Sequence, residues 1–377
     1  MIDLEKLLLE VVERKASDLH LTVGERPKLR IDGRLINSTC EEILTPQDTQ
    51  QLAYSFLNEK QKKQFELEGE LDLSFSIQGL SRFRVNVYRQ RGSVAVAIRQ
   101  IPFNIMNIND LGLPDEAVKL VNKPSGLILI TGPTGTGKST TLASYVDRLN
   151  AVREGHIMTI EDPIEYVHKH NRCIVNQREI GTDTQSFQVA LKYALRQDPD
   201  IILIGEMRDL ETIQAALTIA ETGHLTFATL HTSNCAQTIN RIIDVFPPFQ
   251  QLQVRTQLSF VLRGIVSQVL VPRINNVGRV LACEVMMATP AIRALIRDDK
   301  VHQIYSNIQA GHKFGMQTMN QCLYTLYINK QAALEDLIMV STDHEELLRM
   351  IGDVDNGGEE KVEASSKAGK NIFDSFK

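Results

Sequence analysis

Leu127-Ile128-Leu129-Ile130-Thr131-Gly132-Pro133-Thr134-Gly135-Thr136-Gly137-Lys138-Ser139-Thr140 is the stretch on which the fold of this chain turns. Four consecutive apolar residues suit a strand buried on both faces. The eight residues from Gly132 to Ser139 then match the pattern G-x-x-x-x-G-K-[ST], in which glycines let several backbone N–H groups face one centre. A helix starting near Lys138 adds the positive end of its dipole to that cradle. A triphosphate fits such a cradle, with Gly132, Pro133, Thr134, Gly135, Thr136, Gly137, Lys138, Ser139 and Thr140 as candidate nucleotide-binding residues. Lys138 would neutralise β- and γ-phosphate charge, and the Ser139 hydroxyl would be one Mg²⁺ ligand.

Downstream, nearly continuous apolar runs at 157–160, 201–204 and 225–230 read as further strands of the same buried sheet, separated by lengths that can hold crossover helices. The region 115–247 is therefore expected to be an α/β NTPase core. Beyond Pro247-Pro248 the pattern reads as mostly helical, at 258–270, 291–297 and 316–327, which assigns 248–351 to a C-terminal helical region. From Gly352 onward apolar residues are too few to offset ordering entropy, so 352–377 is expected to be a disordered tail.

Upstream, Leu4, Leu7, Leu8, Val11 and Val12 have helical spacing. Alternating strands follow at 19–23, 29–31, 35–36, 71–77, 82–88 and 94–99, with a turn signal at Asp32-Gly33. Residues 1–100 read as a small α+β domain. Ile101-Pro102 and the loosely patterned stretch to Pro114 form a linker, 101–114.

ATP hydrolysis needs a carboxylate near Mg²⁺ and a group that positions water, both at the C-terminal ends of strands in this kind of sheet. Two acids qualify. Ile201-Ile202-Leu203-Ile204-Gly205-Glu206 has the apolar-then-acid form of a Walker B strand, although Gly205 takes the place where an aspartate is common. Glu206 is therefore assigned to Mg²⁺, directly or through water, and Glu161, after the run 157–160, to orientation of the attacking water. Two histidines bracket the strand 225–230. His231, at its end, is placed to sense or stabilise phosphate, and His224 to brace the preceding turn.

The composition of the 377 residues is that of an ordinary soluble protein, with a net charge of −5. That charge gives no global attraction to a phosphate polymer, so nucleic acid is not an expected partner. No run approaches the roughly 20 apolar residues that span a bilayer, and the N-terminus lacks a basic-then-apolar leader, which predicts a cytoplasmic protein. Five scattered cysteines without a C-x-x-C pair argue against both a disulfide framework and a four-cysteine zinc site, and predict buried thiols.

With these elements assembled, the chain resembles the secretion-superfamily hexameric ATPases and, within them, the PilT-type retraction motors of type IV pili. The matching pieces are the Walker A loop, the acidic box Ile160-Glu161-Asp162-Pro163-Ile164-Glu165-Tyr166, the Walker B segment 198–209 and the histidine box 222–232. Ala16-Ser17-Asp18-Leu19-His20-Leu21, the stretch 82–92 and Gly315-Met316-Gln317-Thr318 also match. Ala291-Ile292-Arg293-Ala294-Leu295-Ile296-Arg297 is similar to the A-I-R-N-L-I-R signature associated with retraction, with Ala294 replacing asparagine. Extension motors usually carry a longer N-terminal region and a four-cysteine zinc element, and neither is seen here.

The resemblance implies a RecA-like P-loop NTPase core preceded by a PAS-like α+β domain and followed by C-terminal helices, in a homohexamer that binds ATP, ADP and Mg²⁺. It implies that Arg82, Arg84 and Arg99 act as charge-stabilising fingers, since a guanidinium makes planar, always-charged contacts to phosphoryl oxygens. Arg293 and Arg297 would be coupling residues. Further implied are pilus retraction and twitching motility, an inner-membrane platform protein and other pilus motor ATPases as partners, and a peripheral position on the inner membrane at the pilus base. Three alternatives stand beside this reading: an accessory PilT-like paralogue, a secretion or assembly ATPase, and a nucleotide-binding regulatory ring without turnover.

Overall fold

The computed structural model describes residues 2–31, 34–77, 80–101, 105–275 and 278–355. The expected turn at Asp32-Gly33, positions 102–104 of the linker and positions 356–377 of the tail lie outside the described residues. The chain divides into two compact units. The first comprises Met1–Ile105 together with Glu161–His170 and Gln177–Gln185, and the second comprises Met106–Ile160, Asn171–Asn176 and Ser186–Lys377.

Six strands build the sheet of the first unit: β1 (Asp18–Leu21), β2 (Lys28–Ile31), β3 (Arg34–Asn37), β4 (Glu70–Ile77), β5 (Ser81–Gln90) and β6 (Ser93–Ile101). Their order is β3-β2-β1-β6-β5-β4, antiparallel throughout. Alternation sets the faces: Phe83, Val85 and Val87 of β5 are fully buried, whereas Arg82, Arg84 and Asn86 point to the other side. The helix Leu4–Glu13 lays Leu7, Leu8 and Val11 on the apolar layer. Two further helices, Pro46–Phe56 and Glu59–Glu68, are not announced by apolar spacing. The second buries only Phe65, so its periodicity is faint, yet each begins with a capping box, Thr45/Asp48 and Asn58/Gln61, that marks it locally.

The second sheet contains β7 (Gly126–Thr131), β8 (Gly155–Glu161), β9 (Cys173–Glu179), β10 (Ile201–Ile204), β11 (Leu225–Leu230), β12 (Leu262–Pro272) and β13 (Arg279–Met287). Its order is β13-β12-β7-β11-β10-β8-β9. The strands β12, β7, β11, β10 and β8 run parallel, and β13 returns antiparallel along β12. Every residue of β7, β10 and β11 is buried, as expected for strands covered on both faces.

The helical expectation over 258–270 is corrected here. The helix Pro248–Val261 stops at Val261 and the chain continues directly into β12. A short buried apolar run has no periodicity that separates strand from helix. At Gly264 a Cβ would lie 2.9 Å from the Leu120 side chain and 3.1 Å from the Met286 carbonyl oxygen, so a larger residue there would push its neighbours aside. β13 is a second strand in this region; after it the chain is helical, including Pro290–Arg297, Met319–Ile328 and Leu334–Val340, and Leu323, Leu326 and Leu337 pack with Val271 and Val280 of the β12–β13 hairpin. All five cysteines are free, and Cys40 and Cys322 are only partly buried, contrary to the expectation of five buried thiols.

Candidate active site

In the second unit, β7 delivers the chain into a loop whose backbone admits little but glycine. Gly132, Gly135 and Gly137 have φ of 142°, 82° and 86°. A Cβ on Gly132 would sit 2.3 Å from the Gln268 carbonyl oxygen. The helix Lys138–Val152 then begins with Gly137 at its N-cap and no side-chain cap, so its first N–H groups face the loop. Lys138 is nearly buried, and its Nζ donates to the carbonyl oxygens of Gly132 and Pro133 at 2.8 and 2.9 Å.

One residue that sequence reasoning missed holds the cradle together. Gln268 of β12 donates to the Thr136 carbonyl oxygen at 2.8 Å, and its own side-chain oxygen accepts from Thr141 Oγ1 at 3.1 Å. A buried amide inside an apolar run was its only signal, and that signal is obscured when the run is taken for a helix. A glycine cradle, an uncapped helix terminus, a lysine and an adjacent serine together fit a nucleotide phosphate chain with Mg²⁺.

The sheet order places β11 between β7 and β10, so Thr229, His231, Gly205 and Glu206 lie at strand ends beside the loop that follows β7. The Thr229 hydroxyl donates to the Gly205 carbonyl oxygen, and Met207 N donates back to the Thr229 carbonyl oxygen at 3.0 Å. Glu206 sits between Arg208 and His231. Arg208 reaches its Oε2 at 2.7 Å and His231 Nε2 lies 3.1 Å from Oε1. Burial pushes the Glu206 carboxyl upward, but Arg208 and His231 outweigh it and hold the group below its ordinary range. Asp209 instead caps the helix Leu210–Glu221, accepting from Thr212 N at 2.8 Å. His224 lies at the turn after that helix, with Nδ1 3.1 Å from the Ile219 carbonyl oxygen and 3.0 Å from Thr222 Oγ1.

Glu161 and the three arginines belong to the first unit. Glu161 accepts from Gln177 Nε2 at 3.2 Å. Arg82 is committed to a buried ion pair with Glu179 at 2.7 Å, and it also donates to Ser74 Oγ at 2.6 Å. Arg99 pairs with Asp18 at 2.8 Å. Burial pushes the Asp18 carboxyl upward, but Ser17 and Arg99 more than reverse that shift. Arg84 is opposite Arg99 in the β5–β6 register, is exposed, and lines a polar cleft of about 620 Å³. No ion pair to it is seen among the described residues.

The helix Pro290–Arg297 buries Ile292 and Ile296, with Thr289 as its N-cap. Arg297 is exposed beside Asp298, and the buried Arg293 Nε has no hydrogen-bond partner among the described residues. Ala294 is half-buried on the same helix.

The pattern described as type II/IV secretion system protein matches residues 1–349. The type IV pilus retraction ATPase PilT of Pseudomonas aeruginosa is 50% identical over 327 residues, covering 85% of this chain and 93% of that protein. The type IV pilus ATPase PilU of the same organism is 42% identical over 350 residues, covering 93% of this chain and 91% of its own. A crystal structure of the pilus retraction motor PilT with bound ADP superposes with a TM-score of 0.87 at 52% identity, covering 93% of this chain and all of that one.

Proposed function

Because the chain belongs to the type II/IV secretion system protein family, we propose that it is an ATP-hydrolysing motor that powers retraction of type IV pili and so twitching motility. The observation that carries this reading is the meeting of the Lys138 cradle with the Glu206–His231 pair at neighbouring strand ends, in a chain half identical to a retraction ATPase. The cradle binds the phosphates of ATP through backbone N–H groups and Lys138. Ser139 would hold Mg²⁺, with Glu206 reaching that ion directly or through water. When bound there, the ion would supply positive charge against that developing on the phosphate oxygens. Glu161 orients the attacking water. His231, linked to Glu206, registers whether the γ-phosphate is present.

Arg84 is the strongest of the three candidates for the finger, because Arg82 and Arg99 are engaged elsewhere. Six copies form the working ring. It acts on the pilus machine through an inner-membrane platform protein, and Arg293 and Arg297 couple hydrolysis to that work. No helix among the described residues is long and apolar enough to cross a membrane, which is compatible with a motor attached at the pilus base.

Lys138→Ala is expected to lower phosphate release by about 10²-fold or more, because it removes a charge that stabilises the transferring phosphoryl group. Unchanged release would remove the cradle from the mechanism. Deleting the gene should give hyperpiliated cells that do not twitch, whereas bald cells would identify an extension motor. The likeness to PilU supports a second reading, an accessory ATPase. In that case the deletion strain would still retract its pili.

A further inference from the structure

The acidic segment Glu161–His170 is secured by two side chains of β9 that stand at alternate positions and therefore share a face. Gln177 Nε2 donates to the Glu161 carboxylate at 3.2 Å and to the Tyr166 carbonyl oxygen at 2.8 Å, and Gln177 Oε1 accepts from His168 N at 2.8 Å. One amide thus satisfies three groups of the segment. Glu179 is 3% exposed and spends its oxygens in two directions. Oε2 accepts from Ile164 N at 3.1 Å and from Arg82 at 2.7 Å, while Oε1 accepts from Ser74 Oγ and, at 3.3 Å, from Thr182 Oγ1. Ile180 N closes the arrangement by donating to the Glu161 carbonyl oxygen at 2.9 Å.

We propose that Gln177 and Glu179 are positioning residues for Glu161, with Gln177 aiming its carboxylate and Glu179 tying the segment behind it to Arg82 and Ser74 of the N-terminal sheet. The physical basis is the cost of imprecision. A group that orients water loses much of its effect when displaced by an ångström, and a free carboxylate on an unsupported turn samples many rotamers. A buried carboxylate that receives four hydrogen bonds can hardly be shifted without leaving polar groups unpaired. Arg82 is in this view an anchor for the acidic segment rather than a finger. The proposal rests on the assignment of Glu161 as the water-orienting acid.

The test uses the full-length protein and steady-state phosphate release across pH. Glu161→Gln comes first, and it should lower kcat by about 10²-fold or more. Gln177→Leu should then lower kcat by about tenfold with the KM for ATP unchanged, a loss typical of misplaced rather than missing groups. Gln177→Glu should move the acidic limb of the pH–rate profile to higher pH, since a second carboxylate disfavours ionisation of Glu161. Glu179→Gln should lower kcat alone, and Arg82→Lys should keep most of the activity because the cation at the anchor is retained. Near-normal turnover by Glu161→Gln would overturn the assignment of that acid. A dead Glu161→Gln enzyme beside Gln177 variants with wild-type kcat and an unmoved acidic limb would overturn the positioning role alone. A purely structural effect would change thermal stability and leave the pH limb in place, which also counts against it.

Discussion

Glu206 holds a carboxylate between Arg208 and His231, and those two neighbours decide its protonation against the opposing effect of burial. With a depressed value in the folded protein, the stabilisation from this group is present above the ordinary carboxylate range and disappears as pH falls through the lowered value. Arg208→Ala removes the guanidinium and leaves His231 in place. The acidic limb of ATP hydrolysis should then move to higher pH, and the loss of rate should be larger at about pH 5 than at about pH 7.5. An unmoved limb would mean that Arg208 neutralises a charge irrelevant to turnover. At this scale the sequence is most readable where a residue type has few alternatives. A lysine and a serine after a glycine loop leave little freedom, and Gly132 is required by a contact that any Cβ would violate. Arg82 is different: alternation along β5 shows which face it is on, but its partner Glu179 lies 97 positions away and no local pattern links the two.

Among the elements, β12 shows how a strand far along the chain becomes part of the nucleotide cradle. It lies beside β7, and its Gln268 joins the loop after β7 to the helix that follows. Replacing Gln268 with Ala leaves the Thr136 carbonyl and the Thr141 hydroxyl without their partner, at a cost of about 2–4 kcal/mol if both remain buried. Chemical denaturation should show that loss, and the KM for ATP should rise with it. A stable variant with unchanged KM would show that water replaces the amide. The parallel strands β7, β8, β10 and β11 are legible in the sequence because each is a short run of buried apolar residues followed by a polar turn. The β12–β13 hairpin is not, since the helix Pro248–Val261 passes into β12 without any breaker. The capping boxes of Pro46–Phe56 and Glu59–Glu68 are present in the sequence, but a reading built on apolar spacing passes over helices that bury so little.

For the molecule as a whole, the proposed motor depends on assembly. Turnover per chain should follow the hexameric fraction in sedimentation velocity as concentration is varied, and a monomer that hydrolyses ATP at the full rate would sink the ring. Arg84→Ala should leave the fold and assembly intact while lowering turnover by about 10³-fold, the scale of a lost arginine finger. Wild-type turnover in that variant would pass the finger role to Arg99.

The acid assigned to water orientation is encoded in the middle of the ATPase sequence yet folds with the N-terminal unit, because the polypeptide enters that unit at Glu161–His170 and again at Gln177–Gln185. Cutting the gene near codon 105 would therefore not yield two self-sufficient halves. The amino-terminal fragment would lack two of its own segments, including the carboxylate that anchors Arg82, and the remainder would carry them without those partners. Modular exchange of the front end between related motors should succeed only when those two inserts are transplanted with it.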